Sequence, residues 1–418
     1  QPLTALFGVG VDNFSSVFTR VKDLAYNQSN LWQINSFPLS RSAILHLFTE
    51  TGIFGLLAFS LLVWQLIKAG KKIDLSQNLI IYYSLLILLF FPPSLISWFL
   101  FFIVLTFSTS VLLTNRQSEE QASLNLAPFP PIYFGLAVIF LLIITSLAYL
   151  LGRSYLAEYY FKKGLDGVIK NNAKDVYDNT RQATILNPYI ERFRINFSQI
   201  NLLIANNIAQ KASQNNNQKK PLSETDRQNI SQAIQAAISE AKAAVTLNPQ
   251  KAEYWQNLAD IYQQIISVAQ GADLWTISAY QRAIVLDPQN PIYRLSLGGV
   301  YYSLGNFEDA TKVFEQVIVL KPDWANGHYN LAWADYQRGN YQRAVSEMEN
   351  VLSLLNPKKD KADYEKAKKE LEEFKKKLPE EEQKATESGK PTQLNLPSPI
   401  PNQEPVINLP KEASPEAK

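Results

Sequence analysis

The chain contains no cysteine, a single methionine, two histidines and no surplus of either charge. Without cysteine there is no zinc knuckle, no redox dithiol and no disulfide, and no compartment is selected by that absence. Lysine and arginine number 40 against 38 acidic residues, a net charge of +2, so no basic field exists to draw nucleic acid. No metal and no cofactor is expected. The first residue is Gln1, and no basic segment precedes an apolar run, so the start is no signal peptide. It reads as a point inside a larger domain. What is present is a division into two unlike halves. The 418 residues suffice for two or three domains.

Residues 1–152 carry four strongly apolar segments, Ser42–Ile67, Leu79–Phe91, Ser94–Thr114 and Ile132–Leu151. A helix needs about 20 residues to cross roughly 30 Å of hydrocarbon. The first, third and fourth reach that length. The second runs into Pro92-Pro93 and reads as a full span starting near Leu75 or as a re-entrant half, the prolines making a tight turn. Lys68, Lys71 and Lys72 follow the first segment and Arg116 the third. Basic residues favour the cytoplasmic side. The expectation is that residues 1–41 lie outside, Lys68–Asp74 and Arg116–Pro131 inside, and everything after Leu151 outside.

The first apolar segment holds His46 and Glu50, spaced i,i+4 and so on one helical face. A carboxylate in hydrocarbon usually faces a cavity or a partner. The pair reads either as a polar site at the outer surface or as two groups that satisfy each other there. Gly52 and Gly55 permit close helix contact. Ahead of them, Phe7-Gly8-Val9-Gly10-Val11-Asp12-Asn13-Phe14 has two glycines two apart, a tight backbone able to form an anion-holding nest. It is no dinucleotide fingerprint, because the third glycine is missing. Arg20, Lys22 and Arg41 add positive charge on the same side, and together they suit a phosphate group. Lys22 by itself reads as an ordinary surface charge.

In the second half prolines recur at helix ends, in Leu186-Asn-Pro188, Leu247-Asn-Pro249, Leu286-Asp-Pro288, Leu320-Lys-Pro322 and Leu355-Asn-Pro357. The last three stand 34 and 35 residues apart, the period of the tetratricopeptide repeat. The unit from Pro291 has Leu297, Gly298, Tyr301, Ala310, Phe314 and Pro322; that from Ala325 has Leu331, Ala332, Gly339, Ala344 and Met348. An earlier unit from Ala252 carries Trp255, Leu258, Ala259 and Tyr262, with about five extra residues between its helices. Small residues let paired helices approach, and large apolar ones fill between them. Tyr177–Pro188 and Ile230–Pro249 read as second helices of degenerate units, and Gln210–Asp226 as a polar loop. The expectation is an all-α chain: a loop over 1–41, four transmembrane segments over 42–152, and a repeat solenoid of about five units over 155–357. A capping helix over 358–378 and a proline-rich tail over 379–418 complete it. His328 reads as packing or groove-facing.

The chain resembles the C-terminal part of the O-antigen ligase and polymerase superfamily, bacterial polytopic membrane glycosyltransferases, in a form with C-terminal tetratricopeptide repeats. The resemblance rests on Leu6-Phe7-Gly8-Val9-Gly10-Val11-Asp12-Asn13-Phe14 and on Glu50-Thr51-Gly52-Ile53-Phe54-Gly55-Leu56. Where that family has a His-Asn pair, this chain has Arg41 and Ser42; Glu50, Gly52, Gly55 and Leu56 match its pattern. The resemblance implies transfer of a glycan from a polyprenyl-diphosphate carrier to a hydroxyl acceptor outside the cytoplasmic membrane. Arg41, and after it Arg20, would bind the diphosphate through the planar guanidinium, with Gly8 and Gly10 beside it. Glu50 would orient a neighbour or act as base, and His46 is the third catalytic candidate. Expected partners are the lipid-linked glycan, membrane lipid, and a protein or peptide in the repeat groove. The rival expectation is a non-catalytic membrane-anchored scaffold for cell-envelope assembly. A transporter would need paired half-helices, and only the short second segment hints at one.

Overall fold

The computed structural model describes residues 2–70, 75–116, 130–214, 223–267 and 269–378, and all regular structure among them is helical. The chain falls into two compact units. One holds Gln1–Val21 and Ser36–Leu156, the other Lys22–Asn35 and Ala157–Lys418. Part of the expected front loop therefore groups with the repeats.

The first unit begins with α1 (Pro2–Phe7) and α2 (Phe14–Val21), followed by α3 (Ala43–Gly70), α4 (Leu75–Phe90), α5 (Leu95–Arg116) and α6 (Pro130–Ile169), whose residues from Ala157 on belong to the second unit. Pro92 and Pro93 end α4, since neither can donate a helical hydrogen bond. Ser94 and Ser97 then cap α5, each backbone N–H donating to the other's hydroxyl at 3.0 Å. This hairpin packs on α3 around buried Leu66, Ile81, Leu88, Phe101 and Val104. Buried Ser84 and Ser108 donate to Ile81 and Val104 carbonyls in their own helices, so neither hydroxyl is left unsatisfied among apolar neighbours.

Among the described residues, two helices are long and apolar enough to cross a membrane, Ala43–Lys68 and Tyr133–Ile169. The other two expected spans contain shorter apolar helices, Leu79–Phe90 and Leu95–Ser108. Helix α4, with 16 residues, rises about 24 Å, less than the hydrocarbon thickness. Helix α6 runs well past the expected end at Leu151, for 40 residues in all. Its large apolar side chains from Phe134 to Leu151 are exposed all round, a pattern suited to lipid rather than to water.

The second unit continues with α7 (Ala173–Leu186), α8 (Glu191–Gln214), α9 (Glu224–Leu247), α10 (Ala252–Gln264) and α11 (Ala272–Leu286). Then come α12 (Pro291–Ser303), α13 (Phe307–Leu320), α14 (Ala325–Gln337), α15 (Tyr341–Leu354) and α16 (Lys361–Lys375). Helices α8–α9, α10–α11, α12–α13 and α14–α15 pair in succession. Both ends of the expected polar loop are helical, Gln210–Gln214 in α8 and Glu224–Asp226 in α9; its middle and the tail 379–418 lie outside the described residues. Each pair is close-packed because one partner is small. A Cβ at Gly298 would come within 2.6 Å of the Phe314 ring. Met348, Ala332 and Ala344 are fully buried, and α16 closes the stack with Ala367, Leu371 and Phe374.

His328 is buried where α14 meets α15. Its Nδ1 lies 2.6 Å from Glu347 Oε2 and its Nε2 2.8 Å from the Pro322 carbonyl oxygen. Two such acceptors suit the protonated ring, which can donate from both nitrogens. Burial pulls its pKa down, but the Glu347 hydrogen bond, the Pro322 carbonyl and the Glu347 charge outweigh that and raise it. Asn350 also donates to Glu347, and Arg343 lies within its field. A raised histidine pKa gives stability that is complete below about pH 6.5 and lost as pH rises through the folded-state value. The thermal midpoint of the repeats should therefore fall by a few degrees from about pH 6 to about pH 8. Glu347→Gln should flatten that slope, as read by circular dichroism.

Candidate functional site

The two stretches that carry the family resemblance meet in the first unit. Gly52 breaks α3 with φ 67° and ψ −162°. A break there takes helical N–H partners from the carbonyls just before it. The front turn supplies replacements: Val9 N–H donates to Thr49 O at 3.1 Å and Gly10 N–H to Glu50 O at 3.0 Å. Asp12 N–H donates to the Glu50 carboxylate at 2.8 Å. Gly8 is in the left-handed region, φ +73°, and a Cβ there would overlap the Glu50 and Thr51 backbone. Gly8 and Gly52 are thus glycines because two backbones touch. The expected anion nest is corrected by the same bonds. The N–H groups of Gly8, Val9 and Gly10 already donate to carbonyls of Thr4, Thr49 and Glu50. Gly52, expected at a helix–helix contact, is instead this break.

His46 Nε2 lies 3.3 Å from Glu50 Oε1, and both side chains are 12% exposed. Its Nδ1 is 3.4 Å from the Ser40 N–H, which can only donate. Nδ1 is therefore the acceptor, and Nε2 carries the proton and donates to Glu50. The Phe14 ring packs 5.1 Å from the imidazole. In this arrangement His46 has no open lone pair for a general base. It braces the Ser40–Ser42 turn, which carries Arg41. Arg41 and Arg20 are exposed, Arg20 in the last turn of α2. The structure thus brings Gly8, Gly10, His46 and Glu50 into one knot and leaves the two arginines outward.

Lys22, expected as a surface charge, is one of the most buried cations of the chain. In the second unit its ammonium lies 2.9 Å from both oxygens of Asp287, with side-chain exposures of 2% and 0%. Burial raises the Asp287 carboxyl above the usual range, and Lys22, Asn290 and Arg294 pull it back only in part. Lys22 opens a strap, residues 22–35, that crosses two successive proline turns of the solenoid. Asn27 Nδ2 donates to Gln289 O at 2.8 Å and to Leu320 O at 3.0 Å, one carbonyl from each turn. Trp32 packs edge-on against Trp324 at 5.1 Å, under the Lys321 ammonium. Asn290 donates to Asn35 at 3.2 Å. Nothing periodic announces these residues in the sequence. The one available signal is an acid in the Leu286-Asp287-Pro288 turn where the neighbouring turns have Asn or Lys.

The first helices α12, α14 and α16 present an aromatic groove. Tyr302, Tyr329, Asn330 and Trp333 line one depression. Tyr329 also borders a second, with Trp324, Asn326, Val351, Leu355 and Lys366. Tyr329 and Trp333 donate to Glu370 of α16 at 3.2 and 3.4 Å, and Lys366 lies 5.1 Å over the Tyr329 ring. Asn326 and Gln337 are exposed beside them.

Residues 298–339 match a protein family described as TPR repeat. The Small glutamine-rich tetratricopeptide repeat-containing protein 2 of Saccharomyces cerevisiae is 31% identical over 96 residues, 22% of this chain and 28% of that protein. The match thus spans less than a third of that relative. Similar solved structures include MamA protein, at 20% identity and TM-score 0.37 over 50% of this chain and 96% of that one. A thermophilic TPR protein of Thermus thermophilus follows at 16% and 0.35, over 50% and 98%. YrrB, described as a TPR protein with an unusual peptide-binding site, is at 12% and 0.33, over 47% and 84%. All regular structure among the described residues is helical, and the chain carries tetratricopeptide repeats. These likenesses do not reach the O-antigen ligase resemblance of residues 6–67.

Proposed function

We propose that this protein is a membrane-anchored scaffold whose repeats recruit a protein or peptide partner outside the cytoplasmic membrane. The observation that carries the reading is the groove of Tyr302, Tyr329, Asn330 and Trp333 on neighbouring first helices. Aromatic faces on successive first helices hold an extended chain by packing against it. Helices α3 and α6 anchor it by their length and apolar surface, and α4 and α5 sit at membrane depth against α3. The lysines after α3 set the orientation.

These 418 residues hold no cysteine, so an introduced thiol is the sole thiol among them. A membrane-impermeant, photoactivatable maleimide is applied to intact cells carrying Asn330→Cys, Val319→Cys or Lys68→Cys. Asn330→Cys should yield a discrete protein adduct. Val319→Cys, on an exposed site of α13, should be labelled without one, and Lys68→Cys should react only after lysis. Labelling of Lys68→Cys in intact cells with both repeat sites silent would reject the orientation. Identical products at Asn330→Cys and Val319→Cys would reject the groove.

A second reading, glycan transfer from a polyprenyl diphosphate, is favoured by the knot of Gly8, Gly10, His46 and Glu50. There Glu50 fixes the front turn, His46 fixes the Ser40–Ser42 turn, and Arg41 and Arg20 hold the diphosphate and offset charge on the leaving group. A bidentate guanidinium is not replaced by an ammonium. Arg41→Lys should lower transfer by about tenfold or more, assayed with lipid-linked glycan. An unchanged rate would remove Arg41 from the site.

A further inference from the structure

One glycine on the helix face that carries Tyr302 has no packing reason to be what it is. A Cβ at Gly298 would strike the Phe314 ring and one at Gly327 would crowd Val317, but a Cβ at Gly299 would meet nothing within 4 Å. Gly299 has no left-handed backbone and sits in the middle of α12, where glycine weakens a helix. It lies three residues before Tyr302, on the same face of the helix. A bare backbone at that place lets another main chain pass close above the helix. Tyr302 in turn lines the depression with Tyr329, Asn330 and Trp333. Ridged aromatics suit a proline-rich chain, whose rings pack against them and whose preformed extended conformation loses little entropy on binding.

This protein carries such a sequence itself. Residues 391–410 include Pro391, Pro397, Pro399, Pro401, Pro405 and Pro410. They follow α16, which forms one wall of the groove through Lys366 and Glu370. From Leu378 to Pro391 there are 13 residues. In extended form these reach about 40 Å, enough to return along α16, which is about 22 Å long. We propose that residues 391–410 seat in the groove over Gly299, between Tyr302, Tyr329 and Trp333, so that the protein holds its own partner site until a competing proline-rich chain displaces them. The proposal rests on the groove reading above and adds the chemistry of the occupant.

The probe is a fluorescent synthetic peptide of residues 391–410, titrated by anisotropy into the detergent-solubilised full chain and into a chain ending at Leu378. The shortened chain should bind it with a Kd on the order of 10–100 μM. The full chain should bind at least about tenfold more weakly, because a tethered copy at roughly millimolar effective concentration competes. Gly299→Leu in the shortened chain should lose the peptide while its melting temperature holds or rises, since the new side chain projects into open space and leucine favours the helix. Trp333→Ala should lose it as well, and Val319→Ala should not. Absence of binding to a shortened chain with native helicity overturns the proposal. So does equal affinity of the full and shortened chains, or wild-type affinity in Gly299→Leu. A peptide with Pro397, Pro399 and Pro401 replaced by alanine should bind at least about fivefold more weakly, and equal binding refutes proline recognition. The thiol labelling at Asn330 judges the scaffold reading separately, so either can fail without the other.

Discussion

Gly52→Ala is expected to abolish the packed state of the first unit. Its backbone, φ 67° with ψ −162°, is a region that only glycine occupies without strain. An added Cβ would also stand 2.5 Å from the Leu6 carbonyl oxygen, well inside van der Waals contact. Relief requires either straightening α3 or expelling the front turn. Either course breaks the bonds from Val9, Gly10 and Asp12 to Thr49 and Glu50. The cost should be about 3–5 kcal/mol. In mild detergent the variant should lose its monodisperse peak at a markedly lower temperature than the parent, while the repeats keep their helical signal. Gly135→Ala in α6 is the control, because a Cβ there meets nothing within 4 Å. Equal thermostability of the Gly52 and Gly135 variants would show that the knot contributes nothing to the fold.

Asp287→Ala is expected to release the strap. The substitution strands the Lys22 ammonium at a site where its side chain is 2% exposed. Breaking a buried pair from one side typically costs about 3–5 kcal/mol, more than a strap with a handful of hydrogen bonds can absorb. Trypsin gives a direct readout, since the bond after Lys22 is shielded in the folded protein. Mass spectrometry should find cleavage after Lys22 in Asp287→Ala under conditions that leave the parent intact there. The double variant Lys22→Met/Asp287→Leu removes both charges and should recover most of the denaturant resistance, because the desolvation penalty disappears along with the attraction. Failure of the double variant to recover would mean that Asp287 acts through its turn, where it also accepts from Asn290 at 3.2 Å, and not through the ion pair.

The two units differ in how much could be read in advance. The repeats are written locally: Gly298 faces Phe314 only 16 residues away, and the same spacing returns one unit later with Ala332 and Met348. A period that short survives in a single sequence because each pair packs mainly on its neighbours. The apolar segments were equally plain, yet their lengths were not. Helix α6 continues through Arg153 and Lys162 to Ile169, since Ser154–Ile169 contains no proline and Gly164 and Gly167 weaken a helix without ending it. Hydropathy marks where lipid-facing surface ends, not where hydrogen bonding ends. At the knot, the glycines and Glu50 were visible as a pattern, but their purpose was misjudged. A two-glycine turn looks the same whether its amides face an anion or the carbonyls of a broken helix.

By itself the sequence determined the helical class, the apolar segments, the proline-punctuated repeats and the absence of thiol chemistry, because each follows from composition or from spacing within a few helical turns. Only the tertiary structure decided that Lys22 is buried against Asp287, 265 residues away, that Asn27 joins two proline turns, and that His46 meets the Ser40 amide as well as Glu50. Those outcomes depend on which solitary polar group loses water and what it meets there. A charge carries no mark along the chain of whether its partner will be solvent or a carboxylate brought in from a distant turn.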